Sequence, residues 1–201
     1  MFSGIVETTA RVIQAHQGSD TLQLAIQRPS DFDDLKRGDS IAVDGVCLTL
    51  ETFDPNQLTF TLGPETLKVT EWTRPRVLDR VVNLERSLRL NDRIHGHLVT
   101  GHVDSLGKVV ARETFGDTLR LTIEIPENLR RFVWTKGSVA INGVSLTVNR
   151  TEGRSFQVGL IPETLKRTNL DGLEIGAGVN LEIDNMARGL IHFENLKGAG
   201  A

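Results

Sequence analysis

Apolar and polar residues alternate along much of the chain with a period of two. Leu22, Leu24 and Ile26 are separated by polar or small neighbours, as are Leu119, Leu121, Ile123 and Ile125. The same alternation runs through Leu58, Phe60 and Leu62, and again through Phe156, Val158 and Leu160. A period of two sets every second side chain on one face of a pleated strand, so each run predicts a half-buried β-strand. Turn-forming clusters separate the runs, among them Gly18-Ser19-Asp20, Asp54-Pro55-Asn56 and Glu152-Gly153-Arg154. About six short strands fit into each half of the chain, which suits closed antiparallel barrels. Closure also removes the open sheet edges on which small sheets aggregate. A short helical turn is expected after Pro29 and after Pro126, where Ser30, Asp31, Glu127 and Asn128 offer early capping groups. Beyond Asp184 the period changes. Met186, Leu190 and Phe193 fall at helical spacing and predict a short C-terminal amphipathic helix, which Gly189 weakens by about 1 kcal/mol relative to alanine.

The chain also matches itself. Asp20-Thr21-Leu22 returns as Asp117-Thr118-Leu119, and Asn83-Leu84-Glu85 as Asn180-Leu181-Glu182, both 97 residues later. Gly45-Val46-Cys47-Leu48-Thr49 returns as Gly143-Val144-Ser145-Leu146-Thr147, 98 residues later. At the same offset of 98, Pro64-Glu65-Thr66-Leu67-Lys68 returns unchanged as Pro162-Glu163-Thr164-Leu165-Lys166. Four matches in one order, with an offset that drifts by a single residue, define an internal duplication. The expected fold is all-β: two homologous six-stranded antiparallel Greek-key barrels and a short C-terminal α-helix. The barrels are expected at about residues 1–88 and 98–184, joined through roughly 86–98, with the helix over about 185–197.

Composition removes several function classes. A net charge of −3, with no tyrosine and no basic run interleaved with aromatics, argues against nucleic-acid binding. Cys47 is the only cysteine, so an intrachain disulfide and a thiolate metal cluster are both excluded, which fits a reducing, cytoplasmic setting. The opening residues lack the basic segment and apolar run of a signal peptide, and no stretch approaches the ~18 apolar residues that cross a bilayer.

Two readings of the duplication stand open: enlargement of a small barrel, or two pockets for one kind of molecule. The repeated polar residues favour the second. Cys47-Leu48-Thr49 and Ser145-Leu146-Thr147 each set two small hydrogen-bonding side chains on one face of a strand, with leucine opposite. Pro64-Glu65-Thr66 and its twin add a threonine and backbone groups just past a strand end. Such groups can read the carbonyls and ring nitrogens of a flat heterocycle. Lys136-Gly137 pairs with Arg37-Gly38, keeping a positive charge at a turn. His95, His97 and His102 lack the cysteine or nearby carboxylates of a familiar metal site, so no metal is expected and His97 reads as structural.

In these motifs the chain resembles the riboflavin synthase α-chain family. The similarity is carried by Met1-Phe2-Ser3-Gly4-Ile5-Val6-Glu7, the Gly45–Thr49 motif, Gly96-His97-Leu98-Val99-Thr100-Gly101-His102-Val103-Asp104, Asn142–Val148 and Ile161–Thr164. It extends from Met1 to about Asp184. The resemblance implies a reaction without metal or redox cofactor. Two molecules of 6,7-dimethyl-8-ribityllumazine dismutate, one donating a four-carbon unit and the other accepting it, to give riboflavin and 5-amino-6-(D-ribitylamino)uracil. It also implies a homotrimer assembled by the C-terminal helix, with each active site between the N-terminal barrel of one subunit and the C-terminal barrel of its neighbour.

Carried over residue by residue, the resemblance assigns catalysis to Phe2, Cys47, His102, Ser145, Thr147 and Asp184. A first pocket would draw on Gly4, Ile5, Val6, Cys47, Leu48, Thr49, Thr61, Leu62, Gly63, Pro64, Glu65 and Thr66. A second would draw on Gly101, His102, Val103, Lys136, Ser145, Leu146, Thr147, Ile161, Pro162, Glu163 and Thr164. Four positions have structural alternatives: Cys47 as a small buried hydrophobe, Lys136 as a solvated turn lysine, Phe2 as a plug of the barrel mouth and Asp184 as a solvated strand end. The tail departs from the family, because Gly189 is expected to interrupt the helix and residues 197–201 read as disordered. The rival function is a non-catalytic lumazine- or flavin-binding antenna protein. A flavin domain of an oxidoreductase fits less well, for want of a dinucleotide-type glycine fingerprint.

Overall fold

Every alternating run folds as a strand with its apolar side inward. The computed structural model describes residues 1–198. The first half holds β1 (Thr8–Gln17), β2 (Leu22–Gln27), β3 (Ser40–Val43), β4 (Val46–Thr49), β5 (Thr52–Phe53), β6 (Gln57–Leu62), α1 (Pro64–Thr70), α2 (Arg74–Val77) and β7 (Val81–Arg86). The second holds β8 (Ser105–Phe115), β9 (Thr118–Glu124), β10 (Ser138–Ile141), β11 (Val144–Glu152), β12 (Ser155–Leu160), α3 (Pro162–Arg167) and β13 (Gly178–Ile183), followed by α4 (Asn185–Gly198). Leu22, Leu24, Ile26, Leu58, Phe60 and Leu62 fill one core, and their counterparts on β9 and β12 fill the other.

The second half is a closed six-stranded barrel in the order β10-β11-β12-β9-β8-β13. The first runs β4-β3-β7-β1-β2-β6-β5. This is the same order with one strand cut in two. β11 runs unbroken but shifts register between Val148 and Arg150; at the equivalent place the first half breaks between β4 and β5. The Glu51 N–H still donates to the Thr59 carbonyl at 3.0 Å, so the two ends of the sheet meet in the broken strand. The all-β duplicated fold is as expected, with one barrel closed and the other interrupted.

The helices depart further from expectation. Pro64-Glu65-Thr66-Leu67-Lys68 and its repeat, read as groups past a strand end, open α1 and α3, with proline in the first turn, where its missing N–H costs nothing. Of the two helical turns expected, Glu127–Phe132 forms a 3-10 helix. The other is a single turn in which the Phe32 N–H donates to Pro29 at 3.2 Å. Gly189 does not interrupt α4. Asp184 caps that helix by accepting the Met186 N–H at 2.9 Å, Ala187 is buried and Ile191 packs on the second core, which offsets the cost of glycine. Lys197 and Gly198 belong to α4; the remainder of the tail expected to be disordered lies outside the described residues.

The halves are related by a pseudo-twofold axis. Phe2 and Val99, equivalent residues 97 apart, exchange two backbone hydrogen bonds of 2.8 and 3.0 Å. They form a small third core with Ala42 and Ala140. The tips of the β3–β4 and β10–β11 hairpins meet on the same axis. Asp44-Gly45 and Asn142-Gly143 all have positive φ, as a tight type I′ turn requires. A Cβ on Gly45 would also stand 2.6 Å from the Gly143 nitrogen, so backbone approaches backbone with no room between. β3, β7, β10 and β13 are therefore buried on both faces, one against their own core and one against the other half. The repeated asparagines lie on the second face. Asn83 Nδ2 donates to the Asn142 carbonyl, and Asn180 Nδ2 to the Asp44 carbonyl, both at 2.9 Å.

Candidate functional site

Each half presents a polar wall on β4 or β11. Leu48 and Leu146 point into their cores as expected, while Cys47 and Ser145 are half-buried and Thr49 and Thr147 exposed on the outer face. Beside the first wall, the Thr61 hydroxyl donates to Glu51 at 3.0 Å. Beside the second, Gly159 occupies the equivalent place and leaves Asn149 there instead, 3.1 Å from where a Cβ would be. Leu62 and Leu160 end β6 and β12, and Gly63-Pro64-Glu65-Thr66 and Ile161-Pro162-Glu163-Thr164 turn the chain into α1 and α3.

The segments expected to complete these walls are exchanged between the halves. Gly4 was grouped with Cys47, and Gly101 with Ser145; the structure pairs them the other way. The Ser145 N–H donates to the Gly4 carbonyl at 2.8 Å, and the Cys47 N–H to the Gly101 carbonyl at 2.9 Å. Val6 packs in the second core and Val103 against the first. The exchange follows from the Phe2–Val99 bridge, because two arms that pair at the axis each emerge over the opposite barrel. Residues 4–6 therefore adjoin the Ser145 wall, and residues 101–103 the Cys47 wall. Phe2 is fully buried at the axis. Its ring lies in the third core, against which Cys47 packs, and its backbone fixes the arm.

A carboxylate clamps each arm. Glu85 accepts hydrogen bonds from the Ser3 N–H (2.7 Å), the Ser3 hydroxyl (2.9 Å) and the Gly4 N–H (3.0 Å). Glu182 repeats this with Thr100 (2.7 and 2.8 Å) and Gly101 (2.9 Å). Burial pushes both carboxyls above their ordinary range, against the pull of these donors. Together the two asparagines and two glutamates explain why Asn-Leu-Glu recurs: leucine fills the core, asparagine crosses the interface, and glutamate holds the arm.

Within this symmetric frame three further differences bear on the walls. Lys136 has φ +72, and its N–H donates to Val148 at 2.7 Å, as that of Gly38 donates to Leu50 at 2.8 Å. Its counterpart is thus Gly38, one residue from the Arg37 pairing expected, and a lysine is held in the left-handed region that the first half gives to glycine. The second difference is Cys47 against Ser145. The third is His97, read from the sequence as structural. Its Nδ1 lies 2.7 Å from the Ser145 hydroxyl, burial holds its pKa below the usual value, and the Asp184 charge opposes that shift. Position 97 falls outside the paired positions of the repeat, so self-comparison gave it no weight. Only the motif Gly96-His97 adjoining the matched segment could have signalled it. Asp184 thus has two tasks, capping α4 and acting on the His97 ring, rather than being a solvated strand end. His102 is exposed, on the arm laid over Cys47. It lies near Asp104, whose carboxyl is raised by burial and hydrogen-bonded to the Ile183 N–H (2.9 Å) and Arg188 (2.6 Å).

Two barrels that each present a polar wall, completed by an exchanged arm, define a duplicated small-heterocycle-binding protein. The lumazine binding domain matches this chain twice, over residues 3–87 and 100–184, and the chain belongs to that family. It is 38% identical to a riboflavin synthase of Actinobacillus pleuropneumoniae over 96% of this chain and 89% of that protein. It is 41% identical to the riboflavin synthase of Mycobacterium bovis over 94% and 95%. Among solved structures it is similar to LumP complexed with riboflavin, with a TM-score of 0.83 and 25% identity, covering 91% of this chain and 99% of that one. LumP complexed with 6,7-dimethyl-8-(1'-D-ribityl) lumazine superposes with a TM-score of 0.81, covering the same shares.

Proposed function

We propose that the chain is a riboflavin synthase, a transferase that converts two molecules of 6,7-dimethyl-8-ribityllumazine into riboflavin and 5-amino-6-(D-ribitylamino)uracil. The observation that carries this is the pair of equivalent walls, Cys47–Thr49 and Ser145–Thr147, each completed by the arm of the other half. A reaction between two copies of one substrate requires two like pockets, and the duplication supplies them. Holding both rings oriented turns a bimolecular encounter into a nearly unimolecular step, worth about 7–11 kcal/mol of barrier. The lumazine ring delocalises the anion left when its 7-methyl group loses a proton, so placement matters more than a strong base. Ser145, Thr147 and Asp184 serve one substrate, and Cys47, Thr49 and His102 the other.

The outer face of α4 carries exposed apolar residues. Met186, Leu190, Phe193 and Leu196 are each more than half exposed and recur every three or four residues, the spacing of a helix-packing seam. That seam supports a homotrimer in which the two kinds of wall meet between subunits. The lone cysteine supports a cytoplasmic location, and among the described residues no helix is long and apolar enough to cross a membrane. The test is direct: the protein mixed with the lumazine should generate riboflavin absorbance. Tight binding without riboflavin formation would instead identify an antenna protein.

A further inference from the structure

We propose that His97 is a positioning residue for Ser145: the imidazole Nδ1 accepts the serine hydroxyl proton, turning the oxygen lone pairs toward the bound lumazine. The inference rests on the reading of the Ser145 wall as a substrate pocket. The contact is built rather than incidental. The His97 N–H donates to the Ser3 carbonyl at 3.2 Å, tying the linker to the clamped arm. Directly before it, Gly96 is pressed so close that a Cβ would stand 2.7 Å from both Ser145 Cβ and Oγ. The ring lies 2.7 Å from the hydroxyl through Nδ1, while Nε2 is enclosed by protein with no hydrogen-bonding partner among the described residues. An enclosed ring of this kind favours the neutral state, in which one nitrogen must be an acceptor. Nδ1 is the nitrogen that meets a hydroxyl able to donate, and the proposed arrangement has the ring proton on Nε2. His97 therefore acts through Ser145.

The consequence is an asymmetry between the pockets. Cys47 occupies the position equivalent to Ser145; it packs against the third core, and no hydrogen bond to its thiol forms among the described residues. A serine hydroxyl free to rotate presents its proton or its lone pairs indifferently; one held by an imidazole presents lone pairs. Two identical substrates that must become donor and acceptor thus meet one wall with a directed oxygen and one without.

The test is a double-substitution cycle on the full chain, read by turnover of the lumazine and by 15N spectra of labelled histidine. His97→Ala should lower kcat about tenfold, the equivalent of one lost hydrogen bond, with KM changed by less than about threefold. His97→Asn, whose amide oxygen can take the place of Nδ1, should recover most of that loss. His97→Ala in a Ser145→Ala background should add nothing further. Losses that multiply, an asparagine variant as slow as alanine, or a His97→Ala enzyme within about twofold of wild type would each overturn the proposal. Wild-type protein that forms no riboflavin would instead refute the enzymatic reading, and the hold on Ser145 is then decided by the spectra. An Nε2-protonated ring whose Nδ1 signal moves in Ser145→Ala supports it; a ring indifferent to that substitution overturns it.

Discussion

Adding one methyl group at Gly4 or Gly101 tests the exchange of arms directly. At Gly4, where φ is +74, a Cβ would stand 2.6 Å from Ser145 Cβ and 2.9 Å from its nitrogen. At Gly101, where φ is +81, it would stand 2.5 Å from Cys47 Cβ. Two costs follow. Alanine in the left-handed region is about 1 kcal/mol worse than glycine. Forcing a methyl group into packed backbone and Cβ atoms costs about 1–3 kcal/mol more. Gly4→Ala and Gly101→Ala should therefore each lose about 2–4 kcal/mol of unfolding free energy. Gly116 separates the two effects, since its φ is +57 and nothing lies within 4 Å of its would-be Cβ. Gly116→Ala should lose only the conformational share, about 1 kcal/mol. Urea denaturation at constant m-value measures all three. Riboflavin titration should show weakened binding in the two arm variants but not in Gly116→Ala. A Gly4→Ala protein no less stable than Gly116→Ala, with binding intact, would mean that the arm does not lie on the Ser145 wall.

Further outcomes follow from the same geometry. Lys136→Gly relieves a left-handed lysine and should raise stability by on the order of 1 kcal/mol while weakening riboflavin affinity in a fluorescence titration; a gain in both would show that the side chain does not serve the ligand. Glu182→Gln places an amide NH2 against a donor that Glu182 now satisfies and should cost about 1–3 kcal/mol at neutral pH. Glu182 and Glu85 bind protons more tightly folded than unfolded, so their stabilisation is full below the ordinary carboxylate range and is lost as pH rises through their raised folded-state range; Glu182→Gln should flatten that slope in denaturation series above the ordinary carboxylate range. Asp44 is fully buried and 2.9 Å from Arg80, and this pair corresponds in the second half to the uncharged Asn142 and Ala177. Arg80→Ala should then cost about 3–5 kcal/mol by leaving a buried charge, and adding Asp44→Asn should restore most of it on thermal unfolding. Leu190→Glu with Phe193→Glu should yield monomers in sedimentation and abolish riboflavin formation; active monomers would break the link between α4 and the site.

The strands were legible because a period of two and a core on one side leave little choice about which residues face inward, and the duplication doubled every signal. Less legible were features set by the meeting of the halves. Phe2 looks from the sequence like a catalytic or barrel-closing residue, because nothing local reveals that its backbone pairs with Val99. The resemblance sets Gly4 with the first pocket and Gly101 with the second, and nothing local in the sequence shows that the two arms cross at the Phe2–Val99 bridge. The short helices α1 and α3 were missed because a proline after a strand reads as a stop, whereas proline in a first turn is equally a start. His97 was passed over for a related reason, since a repeat weighs only residues that occur twice.

The exchange of arms bears on why the duplication is not merely two barrels in series. With the arm of each half lying on the wall of the other, neither wall is complete without both halves, and any shift at the axis reaches both. Symmetry of that kind makes two pockets alike by default. A reaction that needs one substrate to give and an identical one to receive must then depart from symmetry at chosen places. Three departures bear most directly on how each wall meets its ring: cysteine against serine, glycine against a constrained lysine, and a histidine side chain held against Ser145 with no counterpart at Cys47. Two of the three alter what is offered to a polar heterocycle, and the third fixes the direction in which it is offered. The difference between donor and acceptor is therefore best sought in those three positions rather than in the many residues that the halves share.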